Sequence, residues 1–290
     1  MSVRQKSRAN RKVHFAVVPA AGYTLQTGFA ALLAGNALFE LDSSANQSLV
    51  TSSIAYTQYH QIIFPILSDI WSKNNIYHLS TDWRYLKYPS ETFGLGIHTD
   101  INEGYTLDYS AIKLHQTLLR KVGGNFYAGI GWDVDYFWNV TELDTPAGHT
   151  TSSFEKYGGE GTEFSTGPVL AGLYDTRDNP VNPTKGAMLK VDFHLHPTFL
   201  GNDDSWNSLI VDARKYFRFP ANSNNILAFW NYDWFTKSGK APYLMLPNTG
   251  GDPNSNTGRG YIQGRFRGNN FLYLEGEYRV PITRNGLLGA

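Results

Sequence analysis

GRGYIQGRFRG, Gly258 to Gly268, sets three arginines among four glycines. A guanidinium presents five N–H donors in a planar fork, a shape that matches a carboxylate better than it matches water. Glycine lets the main chain adopt positive φ and pass close to a wall. Such a stretch can either fasten a loop by charge inside a polar enclosure or remain an exposed basic loop. Other chemistry fits less well. The glycine spacing matches neither a dinucleotide fingerprint nor a phosphate-binding loop, and no Lys-Ser/Thr pair follows it. Asp192, His194 and His196 share one face of a run at i and i+2 spacing, which could begin a metal set but lacks further ligands. G-x-S-x-G and H-E-x-x-H do not occur, so the commoner hydrolase signatures are absent and no enzyme is expected.

The elements that must position these residues read as strands. Leu189, Val191, Phe193 and Leu195 alternate with Met188, Lys190, Asp192, His194 and His196. Leu272, Leu274, Tyr278 and Val280 alternate with Tyr273, Glu275, Glu277 and Arg279. Leu209, Val211 and Phe217 stand opposite Asp212, Arg214, Tyr216 and Arg218, with Lys215 on the apolar side. This period of two, with one apolar and one ionisable face, continues from Leu25 onward. Twelve such runs are expected, the first at 25–39, one at 91–100 and the last at 270–282. Most are longer than the usual five or six residues of a soluble sheet, and about 9 to 11 tilted residues span a bilayer. Lipid forbids an open sheet edge, so the expected class is all-β, an antiparallel transmembrane barrel.

Composition agrees. The 290 residues carry 25 basic and 25 acidic side chains, which gives no global basic field for nucleic acid. Cysteine is absent, which removes thiolate metal sites, disulfides and cysteine nucleophiles. Aromatic residues reach 14% while charged residues are only 17%, and the seven tryptophans are expected mostly near strand ends, as an interfacial girdle would have them. Residues 1–24 are expected as a basic segment and periplasmic lead-in, and 25–290 as the barrel. Short turns such as Tyr88 to Ser90 and Arg120 to Gly124 are expected on one side, with two long loops, 139–163 and 237–269, on the other.

A second stretch, DTRDNPVNPTKG from Asp175 to Gly186, combines two prolines that fix φ with Asp and Asn side chains that bond nearby backbone, so it reads as a rigid turn. Together with RGYIQGRFRG and the following LEGEYRVPI, it resembles the BamA/TamA superfamily of outer-membrane assembly and translocation barrels, also called the bacterial surface antigen family. The resemblance runs over about residues 13–290. Asp175, Arg177, Asp178, Pro183 and Gly186 correspond to the family's turn. Arg259, Gly260 and Tyr261 correspond to the tip of a loop that folds back into the lumen, with Gly264, Arg265 and Arg267 beside it. The resemblance implies that Arg259 latches this loop to a carboxylate, with Glu277 as first choice and Glu275 or Asp233 as alternatives.

It further implies a bacterial outer membrane location, a role in inserting or translocating other proteins, no cofactor, and three kinds of partner: outer-membrane lipids, unfolded client proteins or a passenger, and accessory lipoproteins. The family has POTRA domains before its barrel and closes with sixteen strands, so a chain of about twelve strands is expected to lack its last ones. A passive pore is the alternative function, as is the membrane anchor of a patatin- or phosphoesterase-type protein.

Overall fold

The computed structural model describes residues 13–24, 27–144, 153–157 and 161–282. Thirteen strands form one antiparallel sheet. In chain order they are β1 (His14–Thr24), β2 (Gly28–Phe39), β3 (Ser48–Thr57), β4 (Ile62–Trp71), β5 (Tyr77–Lys87), β6 (Ser90–Thr92), β7 (Tyr105–Gly123), β8 (Phe126–Asp144), β9 (Thr162–Asp175), β10 (Gly186–His196), β11 (Trp206–Arg218), β12 (Ile226–Gly239) and β13 (Asn270–Arg279). Each pairs with its sequence neighbour, except that the three-residue β6 pairs with β7 alone and lets β5 reach β7. Among the described residues β1 and β13 are the two ends of the sheet. Among the described residues one short α-helix, α1 (Ser153–Lys156), lies between β8 and β9, and no helix is long and apolar enough to cross a membrane.

One strand appears that was not expected, and one expected strand is lost. The lead-in at 1–24 contains β1, which pairs along its whole length with β2 from His14 opposite Leu38 to Thr24 opposite Gly28. The run at 91–100 is not a spanning strand: Gly94 and Gly96 take φ of 90° and 99°, and beyond Thr92 the main chain returns to β structure only as a bridge from Gly96 to Arg267. Alternation alone could not reveal that break, because glycine permits either conformation.

Connections sort by rim. Segments 40–47, 72–76, 124–125, 176–185 and 219–225 join strands on one rim, and none exceeds ten residues. The other rim carries the four-residue turn 58–61 and, among the described residues, the longer connections 88–104, 197–205 and 240–269. Tyr88 to Ser90 therefore belongs to the long-loop rim rather than to the short-turn rim, and Arg120 to Gly123 is still strand, with the turn at Gly124 and Asn125.

The two faces differ as a membrane barrel requires. β13 alternates exposed and half-buried along its length, with Leu272 and Leu274 turned outward and Tyr273 and Glu275 inward. Phe126, Ile130, Trp132 and Tyr136 project outward from β8, while Asp133 and Asp135 are buried on its inner side. The tryptophans correct the girdle expectation. Trp83 and Trp132 are exposed outside, but Trp71 and Trp206 are buried inside, and Trp230 donates its indole N–H to Asp212 at 3.0 Å. An indole N–H wants a partner: Trp206 finds Ser165 Oγ at 3.1 Å inside, and the outward Trp132 finds Thr166 Oγ1 at 2.9 Å.

Candidate functional site: a loop anchored in the lumen

The loop 240–269, between β12 and β13, turns inward. Pro242 fixes φ at −55° ahead of a single 3₁₀ turn at Tyr243–Met245. The first N–H groups of such a turn have no partner within it. Glu163, at the start of β9, supplies both: one carboxylate oxygen accepts from Tyr243 N at 3.0 Å and the other from Leu244 N at 2.8 Å. The Tyr243 hydroxyl meets Thr92 Oγ1 of β6 at 2.6 Å. Arg267 comes back from the far limb, donates through Nη1 to the Tyr243 carbonyl at 2.9 Å, and stacks its guanidinium over the Tyr243 ring. Around this turn Leu107, Phe137, Val140, Phe154, Trp206, Leu244, Met245 and Leu246 form one buried apolar cluster, with the Tyr157 ring parallel to that of Tyr243.

The two limbs of the loop hold each other. Thr249 N donates to the Phe266 carbonyl at 2.9 Å, Gly264 N to the Thr249 carbonyl at 2.8 Å, and Gly268 N to the Pro247 carbonyl at 3.0 Å. Between the limbs, Asp252 accepts from Thr257 N at 2.8 Å and Thr257 Oγ1 at 2.7 Å and closes the far turn. Arg84, itself paired with Asp82 at 2.6 Å, donates to the Pro253 carbonyl at 2.6 Å and so ties that turn to β5 across the lumen.

Each expected latch residue has a definite place. Arg259 lies 3.5 Å from Glu275 on β13 and is 61% exposed. Glu277, the first-choice partner, instead pairs with Arg279 on its own strand at 2.9 Å. Asp233 is excluded by parity: it stands opposite outward-facing Leu272 and accepts from Asn231 at 2.6 Å. Arg265 binds not a carboxylate but Thr99, through its hydroxyl at 2.6 Å and its carbonyl at 2.7 Å, and caps the Phe93 ring. Tyr261 is exposed and packs edge-on against Phe266. Gly260 and Gly264 take φ of 91° and 78°. Gly258 is needed for space as well as conformation: at φ 70°, a Cβ there would lie 2.2 Å from Thr249 Cγ2.

The turn after β9 lies on the opposite rim. Asp175 and Arg177 form a bidentate pair, closest at 2.7 Å, and Arg177 also donates to the Pro180 carbonyl at 3.1 Å. Asp178 accepts from Thr184 N at 2.9 Å, Thr184 Oγ1 at 2.6 Å and Lys185 N at 3.2 Å. Burial would raise its pKa, but these bonds outweigh it and hold the carboxyl below its ordinary value. Pro183 is buried, and Gly186, at φ 102°, leaves no room for a Cβ, which would sit 2.2 Å from the Thr176 carbonyl oxygen.

Between the inserted loop and this turn lies a cavity of 420 Å³ whose wall includes Asp69, Asp133, Lys190, Asp192, Asp212 and Arg214, with Pro253 and Asn254 of the loop and Pro180 and Val181 of the turn. Its ionisable side chains are paired. Lys190 pairs with Asp192 at 2.9 Å, Arg214 with Asp212 at 2.7 Å and His78 with Asp69 at 2.9 Å. His194 bonds Asp133, and His196 meets Ser165 at 3.0 Å and stacks on Trp206, so these histidines serve separate partners. Among the described residues no three His, Asp or Glu side chains gather as a metal site. Sequence reading missed Glu163, Thr92, Thr99, Arg84 and Asp252 as loop contacts. Only Asp252 carried a signal, since Asp followed by Pro, Asn and Ser marks a turn.

Residues 40–286 match the Omp85 superfamily domain. A solved structure of BamA from Haemophilus ducreyi lacking POTRA domains 1–3 is similar with a TM-score of 0.55 at 13% identity, covering 95% of this chain. This chain spans 56% of the length of that one. No curated protein matches it.

Proposed function

The chain belongs to the Omp85 superfamily, and from that premise we propose that it acts in the bacterial outer membrane as a barrel that helps insert or translocate other proteins, with Arg259 fixing the inserted loop. The observation that carries the reading is the loop itself: thirty residues, 240–269, are folded into the lumen and joined to three strands of the wall through Arg84, Glu163 and Glu275. β1 supports the same reading. It pairs on one side with β2, and among the described residues its other edge has no partner, so an incoming strand could add there by backbone hydrogen bonds. Outer-membrane lipids and unfolded β-barrel clients are the partners this requires, and the chemistry is strand exchange rather than bond making.

The test is folding of an unfolded outer-membrane client into liposomes with and without the barrel. Acceleration that falls when Arg259 is replaced by alanine supports the proposal. Liposome conductance with no acceleration of client folding would favour the passive pore instead.

A further inference from the structure

We propose that Glu163 is a positioning residue which, with Arg267, clamps the base of the inserted loop across the lumen mouth, a hold that releases separately from the Arg259 contact at the tip. The inference deepens the reading of the loop as a functional insert and rests on it. The two points differ in kind. At the tip, Arg259 is 61% exposed and its contact to Glu275 is a single one at 3.5 Å. Ion pairs so open to solvent hold little. At the base, Glu163, Tyr243 and Arg267 are 5%, 2% and 9% exposed.

At the base two side chains grip one peptide turn from opposite ends. Glu163 takes the N–H groups at the start of Tyr243–Met245, and Arg267 takes the carbonyls of Tyr243 and Leu246 at 2.9 and 3.4 Å. The carboxylate and guanidinium thus face each other across the turn's aligned backbone dipoles. Removing either would leave buried polar groups without partners, which costs far more than losing an exposed pair. Arg267 is fixed in turn by its own backbone, whose carbonyl accepts from Gly96 N at 2.7 Å.

What the clamp holds in place is a seal. Leu244, Met245 and Leu246 fill the long-loop mouth together with Leu107, Phe137, Phe154 and Trp206, whereas the cavity beyond is lined by charge. A second buried apolar cluster, Trp71, Leu119, Tyr127, Ala171, Leu173 and Met188, lies toward the short-turn rim, so the inserted loop supplies the stopper of the long-loop mouth. Opening this mouth therefore requires release at Glu163 and Arg267, and release at Arg259 frees only the tip.

The chain has no cysteine, so one can be introduced as a clean probe. Ala241 is 7% exposed within the stopper. The full chain carrying A241C would be folded into phospholipid vesicles and treated with a charged, membrane-impermeant maleimide. Adding Glu163→Gln turns one acceptor into a donor facing an N–H, and labelling should quicken by about tenfold or more, the ratio that losing one charge-assisted hydrogen bond gives. Adding Arg259→Ala should leave the rate within about twofold, and Glu163→Asp, which keeps both acceptors, should restore part of the protection. Labelling that stays slow with Glu163→Gln, or that rises equally with Arg259→Ala, overturns the proposal. Heat-modifiable migration reports whether each variant has folded. If Glu163→Gln has not, amide exchange in the unsubstituted chain decides: Tyr243 and Leu244 must exchange more slowly than the residues around Arg259, and equal rates sink the clamp. None of these readouts needs a client, so loss of assembly activity and loss of the clamp are separately visible.

Discussion

Gly258 and Gly260 stand two residues apart in the loop tip, both with positive φ, yet they constrain the chain differently. A side chain at Gly258 meets the buried methyl of Thr249, whereas one at Gly260 meets nothing within 4 Å. Gly258→Ala should therefore destabilise the protein by roughly 1–3 kcal/mol and Gly260→Ala by less, read as the shift in urea unfolding midpoint in detergent. Asp178 makes a prediction about acid. Its pKa is lowered in the folded turn, so its stabilisation is complete above the ordinary carboxylate value of about 4 and is lost as pH falls through the folded value. Protection of the Thr184 and Lys185 amides against exchange should hold at neutral pH and decline only below about pH 4. In Asp178→Asn it should be weak already at pH 7 and change little on acidification. A decline beginning near pH 6 would assign the effect to another group.

Strands obey the alternation so closely that their faces can be tested one side at a time. Leu274 is 76% exposed on the outer side of β13, and Leu274→Arg should cost about 2–4 kcal/mol if that position faces the bilayer midplane. The same substitution should cost almost nothing if the outer face met water, and urea titration of folding into liposomes separates the two. Alternation made β10 and β13 legible from sequence, down to which residues face inward. β1 escaped because Ala16, Pro19, Ala20, Ala21 and Gly22 leave no contrast between faces, and the false strand at 91–100 arose because its alternation runs through two glycines. The latch was legible to within one turn of the pleat. Glu275 and Glu277 share a face, and the decisive fact, Arg279 two residues beyond Glu277, was present in the sequence as a competitor for the same carboxylate. Glu163 was not legible at all, since its partners are main-chain N–H groups about 80 residues away, and a carboxylate on an inward strand face reads the same whether it meets water or a loop.

For the molecule as a whole, the proposed function puts client addition at the edge of β1 left unpaired among the described residues. A photo-crosslinking residue at Val18 on β1 should capture an unfolded outer-membrane protein, while one at Leu118, outward on the middle strand β7, should not. Equal capture at both would reduce β1 to an ordinary part of the wall. One further consequence lies in the inward charges. Asp82 with Arg84, Lys190 with Asp192, Asp212 with Arg214 and Glu277 with Arg279 are each joined two residues apart along a single strand. Such a strand brings its own counter-ion and is electrically complete before it has neighbours. The wall can then grow hairpin by hairpin with these charges neutralised at every stage, and a hairpin exchanged for another would not strand them. The order of construction, like the finished interior, is written in pairs two residues apart.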